Sequence, residues 1–362
     1  MSSQLQFGPE QGLIQPLSLL PSLRQIAFVC PLCKRPLSIT KTRDAYYCRS
    51  CERNYSLQGG IPDFRVYPDP YLSFAEDQKR TEIMLEALNR YEFKELLEYY
   101  WTFSDITPVA LRPKFIRNAI LGEQRARHVV NLLEKQSSEQ PGAKQRVLEV
   151  GSGTGNFLAL ATQHYDQVIG TDIAMRWLHV SRRRFMDLGL PVPPLVCCCA
   201  EYLPFPDSSF DLVIASSTLE FVRDREEMLA ECARALKSTG SFYLNTVNRF
   251  SLAINPYVYL WGVGFLPERL QARYVKWRIG SNYEPIKLFS LPALMKAAKQ
   301  HFRGVAFLLP EVDPSSLKQF SRATRLQAQA YRVIKKLPVF KTLLKWVAPS
   351  WDVILKERRR IS

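Results

Sequence analysis

Long apolar runs are missing from this 362-residue sequence. The nearest approach to the ~20 residues that cross a bilayer is Tyr257 to Leu266, so no membrane-spanning helix is expected. No secretory leader is expected either. No basic residue precedes Arg24, and the apolar stretch from Leu13 to Leu23 is broken by Pro16 and Pro21. Acidic residues are scarce in one region only. Residues 1–248 hold 28 basic and 28 acidic side chains, whereas residues 249–362 hold 21 and 6, so the formal net charge of +15 comes entirely from the last third. Between Asp313 and Asp352 there is no acidic residue at all. That asymmetry points to an anionic partner, either a membrane surface or nucleic acid, with a merely solvated basic face as the plain alternative. The cysteines do not form a secreted disulfide framework. Four of the eight occur as two Cys-x-x-Cys pairs and three are consecutive at Cys197, Cys198 and Cys199, a usage suited to a reducing compartment. A cytoplasmic protein is expected, with peripheral attachment to the cytoplasmic membrane face as the option the basic third adds. With 46% hydrophobic residues the chain can bury a proper core and build one decorated domain or two.

Residues 1–25, rich in Gln, Pro and Ser, are expected to form a flexible arm. Residues 26–66 read as a metal ribbon: Cys30-Pro31-Leu32-Cys33, fourteen residues of hairpin character, then Cys48-Arg49-Ser50-Cys51. Two such knuckles present four thiolates to a tetrahedral zinc ion, and four protein ligands leave no open position for chemistry. Residues 67–140 are assigned to a helical cap and linker. No Pro or Gly interrupts Glu76 to Trp101, which reads as one helix, and a second is expected from Pro113 or Glu123 to Lys135. The aromatics Tyr91, Phe93, Tyr99, Tyr100, Trp101 and Phe103 are read as core in preference to cavity lining. Ser137 to Gly142 is a polar linker.

From Arg146 onward, β-rich runs alternate with helical ones. Strands are expected at 146–150, 167–171, 195–199, 210–215 and 241–246, and helices at 157–164, 174–188 and 226–236. This alternation marks an α/β fold with a Rossmann-like parallel sheet, whose ligand lies at the carboxyl ends of the strands. The first strand empties into Gly151-Ser152-Gly153-Thr154-Gly155, where glycine permits positive φ and bare backbone can touch a ligand. The second ends at Asp172, placed to accept both hydroxyls of a ribose. A nicotinamide enzyme would want Gly-x-Gly-x-x-Gly, but position 156 is Asn.

Glu149 with the glycine loop, Asp172, Ala200-Glu201-x-Leu203-Pro204-Phe205, Phe210-Asp211 and Leu219-Glu220 together resemble class I S-adenosylmethionine-dependent methyltransferases of the ubiquinone/menaquinone-biosynthesis type, over roughly residues 145–310. The resemblance implies a cofactor site built from Glu149, Gly151, Ser152, Gly153, Gly155, Asp172, Ile173, Ala200, Glu201 and Ser216. Three positions depart from the pattern: Cys199 where Asp is frequent beside the adenine, Phe221 where His is frequent, and Ser238-Thr239-Gly240 in place of Pro-Gly-Gly. The tail of the ribbon, Tyr55 to Phe64 with its Gly59-Gly60 and Ile61-Pro62-Asp63, resembles the zinc-ribbon activator subunit of tRNA and protein methyltransferases.

Methyl transfer from a sulfonium needs alignment and exclusion of water more than a fixed acid/base pair. No catalytic residue is therefore assigned, and Glu220, His179 and Tyr257 are the candidates for a base. The methyltransferase domain is placed at 141–312, with a greasy insertion at 248–289 expected over the acceptor site. Residues 313–362 are expected to be a basic, amphipathic, helical extension. Advancing ~100° per residue from Leu317, Lys318, Arg322, Arg325, Arg332, Lys335 and Lys336 fall in an arc of about 140°. The expected function is methylation of a hydrophobic or membrane-associated small molecule such as a quinone, isoprenoid, lipid or polyketide-like acceptor. The alternatives are methylation of an rRNA or tRNA base, since rRNA guanine methyltransferases also carry a Cys-rich ribbon, and a non-catalytic binding scaffold.

Overall fold

The computed structural model describes residues 21–136, 145–311 and 322–359. The expected arm up to residue 20, the whole of the expected linker Ser137 to Gly142, and residues 313–321 and 360–362 of the C-terminal extension lie outside that set. The ribbon is a small antiparallel sheet of β1 (Ser38–Ile39), β2 (Ala45–Cys48), β3 (Arg53–Gln58) and β4 (Ile61–Pro62). It does not stand apart. Asp63 pairs in parallel with Cys197, the Phe64 amide donates to Cys197 O at 2.7 Å and the Val29 amide to Pro204 O at 3.0 Å. Phe28 and Phe64 lie 5.0 Å apart, and Phe28 lies 5.8 Å from Phe205, so ribbon and sheet share one apolar core.

The expected continuous helix at 76–101 is two helices, α1 (Phe74–Ala87) and α2 (Phe93–Phe103). Each has its own capping box, Ser73 with Glu76 and Glu92 with Glu95, which satisfies the free amides of the first turn. Asp187 Oδ2 also accepts from the Phe93 amide at 2.6 Å. The break lets α2 turn its Leu97 and Tyr100 into a cluster with Val180 and Trp177. The run from Pro113 to Lys135 is likewise divided, into α3 (Arg112–Ile120) and α4 (Gly122–Gln136).

Seven strands form the main sheet. They are β5 (Arg146–Val150), β6 (Gln167–Asp172), β7 (Leu195–Cys197), β8 (Phe210–Ser216), β9 (Leu236–Val247), β10 (Phe302–Leu308) and β11 (Ser350–Arg358), in the order β10-β11-β9-β8-β5-β6-β7. From β9 to β7 every pair is parallel, as the alternation required. Helices α5 (Asn156–Ala161) and α6 (Met175–Asp187) pack in series with α4, while α7 (Arg225–Ala235) packs on α9 (Leu291–His301). In the insertion, a 3-10 turn at Val263–Phe265 precedes α8 (Glu268–Ile279). Ser238-Thr239-Gly240 is not a turn but part of β9, beside an irregularity in its pairing with β8.

The largest correction is at the C-terminus. Residues 350–358, expected to belong to the helical extension, form β11, antiparallel to both β9 and β10. The sheet therefore does not close at residue 312. Trp351, Val353 and Leu355 are fully buried, and the buried Asp352 accepts from Tyr243 Oη at 2.7 Å and Asn245 Nδ2 at 2.8 Å. Helices α10 (Arg322–Lys335) and α11 (Pro338–Val347) are thus a detour between two neighbouring strands. Among the described residues no helix is long and apolar enough to cross a membrane.

Candidate active site

The carboxyl ends of β5, β6, β7 and β8 surround a cavity of about 300 Å³. Gly151 and Gly153 have φ of 74° and 50°, a left-handed backbone that glycine adopts without penalty. A Cβ on Gly151 would lie 2.2 Å from Thr218 Oγ1, whereas one on Gly153 would meet nothing within 4 Å. The first glycine lets β5 approach the end of β8; the second presents bare backbone to the cavity. Asp172 is anchored there, its two oxygens accepting from the Gly153 and Ala174 amides at 2.8 Å each. Burial pushes its carboxyl up to about 6, against the lowering effect of those amides. Ile173, Ala200 and Glu201 also line the cavity, and Glu201 Oε1 accepts from the Arg223 and Asp224 amides at 2.7 and 3.1 Å, fixing the loop before α7.

Behind the glycine loop lies a smaller cavity of about 130 Å³, where Glu149, Ser152 and Ser216 gather with Asn156 and Arg125. Glu149 Oε2, Ser152 Oγ and Asn156 Oδ1 are buried there without a hydrogen-bond partner. Burial raises the Glu149 carboxyl well above the usual carboxylate range, and the charge of Asp172 adds to it. Glu149 and Arg125 on the lining of one cavity offer an acceptor and a cation, a set that suits a zwitterion whose ammonium and carboxylate would complete both. Gly155, the remaining loop glycine, borders neither cavity; it caps α5 and faces Ser181.

The ribbon supplies a wall that the sequence alone did not reveal. Tyr67, Asp69 and Tyr71, immediately after the ribbon, line the main cavity. Asp69 is held by Arg176 at 3.1 Å, and the same buried guanidinium bonds Asp77 and, at 3.1 Å, Tyr100 Oη. Cys199, the position where Asp is frequent, is turned away from the cavity. Its sulfur accepts from the Val66 amide at 3.4 Å and donates to Tyr67 O at 3.5 Å, so here the side chain fastens the ribbon tail. The prolines in Tyr67-Pro68-Asp69-Pro70-Tyr71 were the available signal, marking a stiff segment.

A third cavity, of about 200 Å³, adjoins the first, and Tyr71, Trp177 and Phe221 border both. Tyr100, Trp101 and Phe115 of the cap and Tyr257 of the insertion line it. The cap aromatics therefore serve as core on one side and cavity wall on the other. Phe221 meets Tyr257 edge-on at 5.0 Å. Tyr257 Oη is buried without a hydrogen-bond partner, and burial, then the nearby Glu220 carboxylate, hold its phenol well above its ordinary value. Glu220 Oε1 accepts from Thr246 Oγ1 at 2.9 Å and the Val247 amide at 2.7 Å, leaving Oε2 free; burial raises its carboxyl. His179 belongs elsewhere. Its ring packs against Gly59 of the ribbon, and burial holds it neutral, with its pKa lowered to about 3.

The four ribbon thiols converge. Every sulfur of Cys30, Cys33, Cys48 and Cys51 lies within 4.8 Å of the others, with Cys33 and Cys48 at 3.5 Å and Cys30 and Cys51 at 3.9 Å. Four thiolates at ~2.3 Å from a tetrahedral zinc are about 3.8 Å apart, so the donor set and its spacing fit that ion.

Residues 148–244 match the methyltransferase domain family. This is a class I, S-adenosylmethionine-dependent methyltransferase domain. Over 108 residues it is 40% identical to the ubiquinone/menaquinone biosynthesis C-methyltransferase UbiE of Cupriavidus pinatubonensis, covering 29% of this chain and 43% of that protein. The chain thus spans less than half the length of the curated relatives it matches. Among solved structures it is similar to Haemonchus contortus phosphoethanolamine N-methyltransferase 2 (17% identity, 75% of this chain and 60% of that one, TM-score 0.42). It is also similar to a chain of the complex between the Haloferax volcanii Trm112 methyltransferase activator and a putative methyltransferase (15%, 67% and 97%, TM-score 0.43). In the methyltransferase domain the carboxyl ends of β5, β6 and β7 carry Gly153, Asp172 and Ala200 into one cavity.

Proposed function

We propose that this chain methylates an apolar, ring-containing small molecule held in the aromatic cavity beside the cofactor cavity. The observation that carries the reading is the shared wall of Tyr71, Trp177 and Phe221 between the cavity that holds Asp172 and bare glycine backbone and one whose lining adds Tyr100, Trp101, Phe115 and Tyr257. S-Adenosylmethionine, when bound, supplies an electrophilic methyl on its sulfonium. Asp172 accepts from the ribose hydroxyls, Ala200 and Glu201 border the base, and Glu149 with Arg125 brackets the amino-acid end. Ser152 and Ser216 complete that end. The cap and insertion exclude water, and Trp101, Trp177 and Phe221 hold a flat acceptor by stacking. The UbiE relatives are named for quinone biosynthesis and C-methylation, which favours a phenolic or quinol ring carbon as acceptor here. Such a transfer would break the sulfur–methyl bond, leaving the cofactor as a neutral thioether, form a carbon–methyl bond and release one acceptor proton. Tyr257 lines the acceptor cavity as a neutral phenol, so it can relay that proton only by handing its own to the unbonded Oε2 of Glu220 behind it as it takes the acceptor's.

Zinc belongs to the reading as a structural ion, held by Cys30, Cys33, Cys48 and Cys51 with no position left for substrate. The test is incubation of the pure chain with methyl-labelled cofactor and, separately, total lipid extract and total RNA. Label in a quinol-like lipid fraction is expected. Label in RNA alone would reject the reading.

A further inference from the structure

We infer that the insertion and the α10–α11 detour form a docking surface for an anionic lipid bilayer. The observations are exposed side chains that none of the described residues covers. On the insertion, Trp277 is 76% exposed, Trp261 60% and Leu252 53%; on the detour, Leu326 is 67%, Val333 64% and Leu343 60%. The two elements are continuous. The Leu252 amide donates to Val347 O at 3.2 Å, Asn248 Nδ2 donates to Trp346 O at 2.8 Å, and Trp261 Nε1 donates to Leu252 O at 3.0 Å. Exposed Phe265 packs on Trp261 at 6.2 Å. These contacts join Trp346, Leu252, Trp261 and Phe265 into one apolar surface.

The charge around it is predominantly of one sign, with exposed Glu284 as the exception on the insertion. Arg269, Arg273, Lys276 and Arg278 are exposed on α8 beside Trp277, and the helix's single acid, Glu268, is paired with Arg249 at 2.8 Å. Lys335 is not part of this display, because its ammonium bonds Leu309 O, Pro310 O and Glu311. Tryptophan and aliphatic side chains among lysine and arginine suit the headgroup boundary, where rings and methyls enter the acyl region and cations meet phosphates. A polynucleotide would use the cations but would leave Leu252, Leu326, Val333 and Leu343 in water, so the bilayer is the partner that accounts for both.

The insertion that carries Trp261 outside carries Tyr257 and Val258 on the wall of the acceptor cavity. Docking would therefore set that cavity beside the phase in which an apolar acceptor dissolves. This last step rests on the function proposed above, whereas the docking itself rests only on the surface.

The experiment is flotation of the full chain with phosphatidylglycerol/phosphatidylcholine vesicles and with pure phosphatidylcholine vesicles, without cofactor or acceptor. Association with the anionic vesicles is expected, with a blue shift of tryptophan emission. The variant W261A/W277A/W346A should lower vesicle affinity at least tenfold. The variant R273E/K276E/R278E should lower it similarly and remove its salt dependence. All six positions are outside the cofactor and acceptor cavities, so cofactor binding by calorimetry should be unchanged in both variants. Absence of vesicle binding by the full chain would overturn the proposal, even if methyl transfer to a dispersed acceptor proceeds. So would tighter binding to an RNA oligomer that the charge variant abolishes and the tryptophan variant spares. Conversely, vesicle binding without methyl transfer to any lipid would leave the docking in place and remove the proposed acceptor.

Discussion

The methyltransferase domain carries two additions, and they are joined to it in opposite ways. The N-terminal ribbon is sealed to the β7 edge by main-chain hydrogen bonds, a shared aromatic core and the Lys34–Glu231 ion pair at 2.6 Å. The C-terminal detour is tied at its ends by β10 and β11, yet its helices leave large apolar side chains in water. The ribbon covers an edge that would otherwise expose unpaired backbone, and it completes the cofactor cavity. Burial inside the chain marks a part of the folding unit, and apolar exposure held in place by a rigid frame marks a surface for something else.

The sharpest way to break this comparison is to remove the metal from the ribbon. Cys48→Ala is expected to abolish stoichiometric zinc by elemental analysis and to lower the melting temperature by on the order of 10 °C. Because Tyr67, Asp69 and Tyr71 follow the ribbon into the cavity, cofactor affinity should fall with it. Unchanged affinity in a zinc-free protein would show that the ribbon is a separate module after all. Next comes apolar truncation within the shared core. Phe64 is fully buried, and Phe64→Ala should cost about 3–5 kcal/mol in denaturant unfolding.

Asp172→Ala should weaken cofactor binding by roughly 2–4 kcal/mol, through loss of a buried charged acceptor. The same residue makes a pH prediction. Its folded-state pKa of about 6 is raised, so in the free protein it contributes stability at low pH that is lost as the pH rises through about 6. Cofactor binding needs the ionised form and runs the other way. By calorimetry, affinity should be level above about pH 7 and fall up to about tenfold per unit below about 6. A level profile down to pH 5 would mean that Asp172 does not touch the cofactor.

The smallest effect is expected at the detour. Leu343→Ala should change stability by no more than about 0.5 kcal/mol, since the side chain is 60% exposed. A loss comparable to that of Phe64→Ala would show that α11 is covered within the folded protein and would erase the contrast.

The sequence by itself determined what depends on neighbours along the chain. The glycine loop, the Asp172 position, the five parallel strands and the two thiol pairs all rest on local spacing, and each agrees with the structure to within a few residues. Even the sheet's longest error, the length of β9, concerns where a strand begins and not whether it exists. Contacts over long separations were decided only by the tertiary structure. β11 follows helices of basic, apolar composition, and nothing local to residues 350–358 says that they will be inserted between β9 and β10. Cys199 looked like a weakened adenine contact because its partner, the ribbon tail, lies 132 residues away in sequence. Arg176 gave no local sign of uniting Asp69, Asp77 and Tyr100. The physical reason is common to all three: hydrogen bonding and burial reward whichever groups the fold brings together, and periodicity reports only which side of an element is apolar, not what that side will meet.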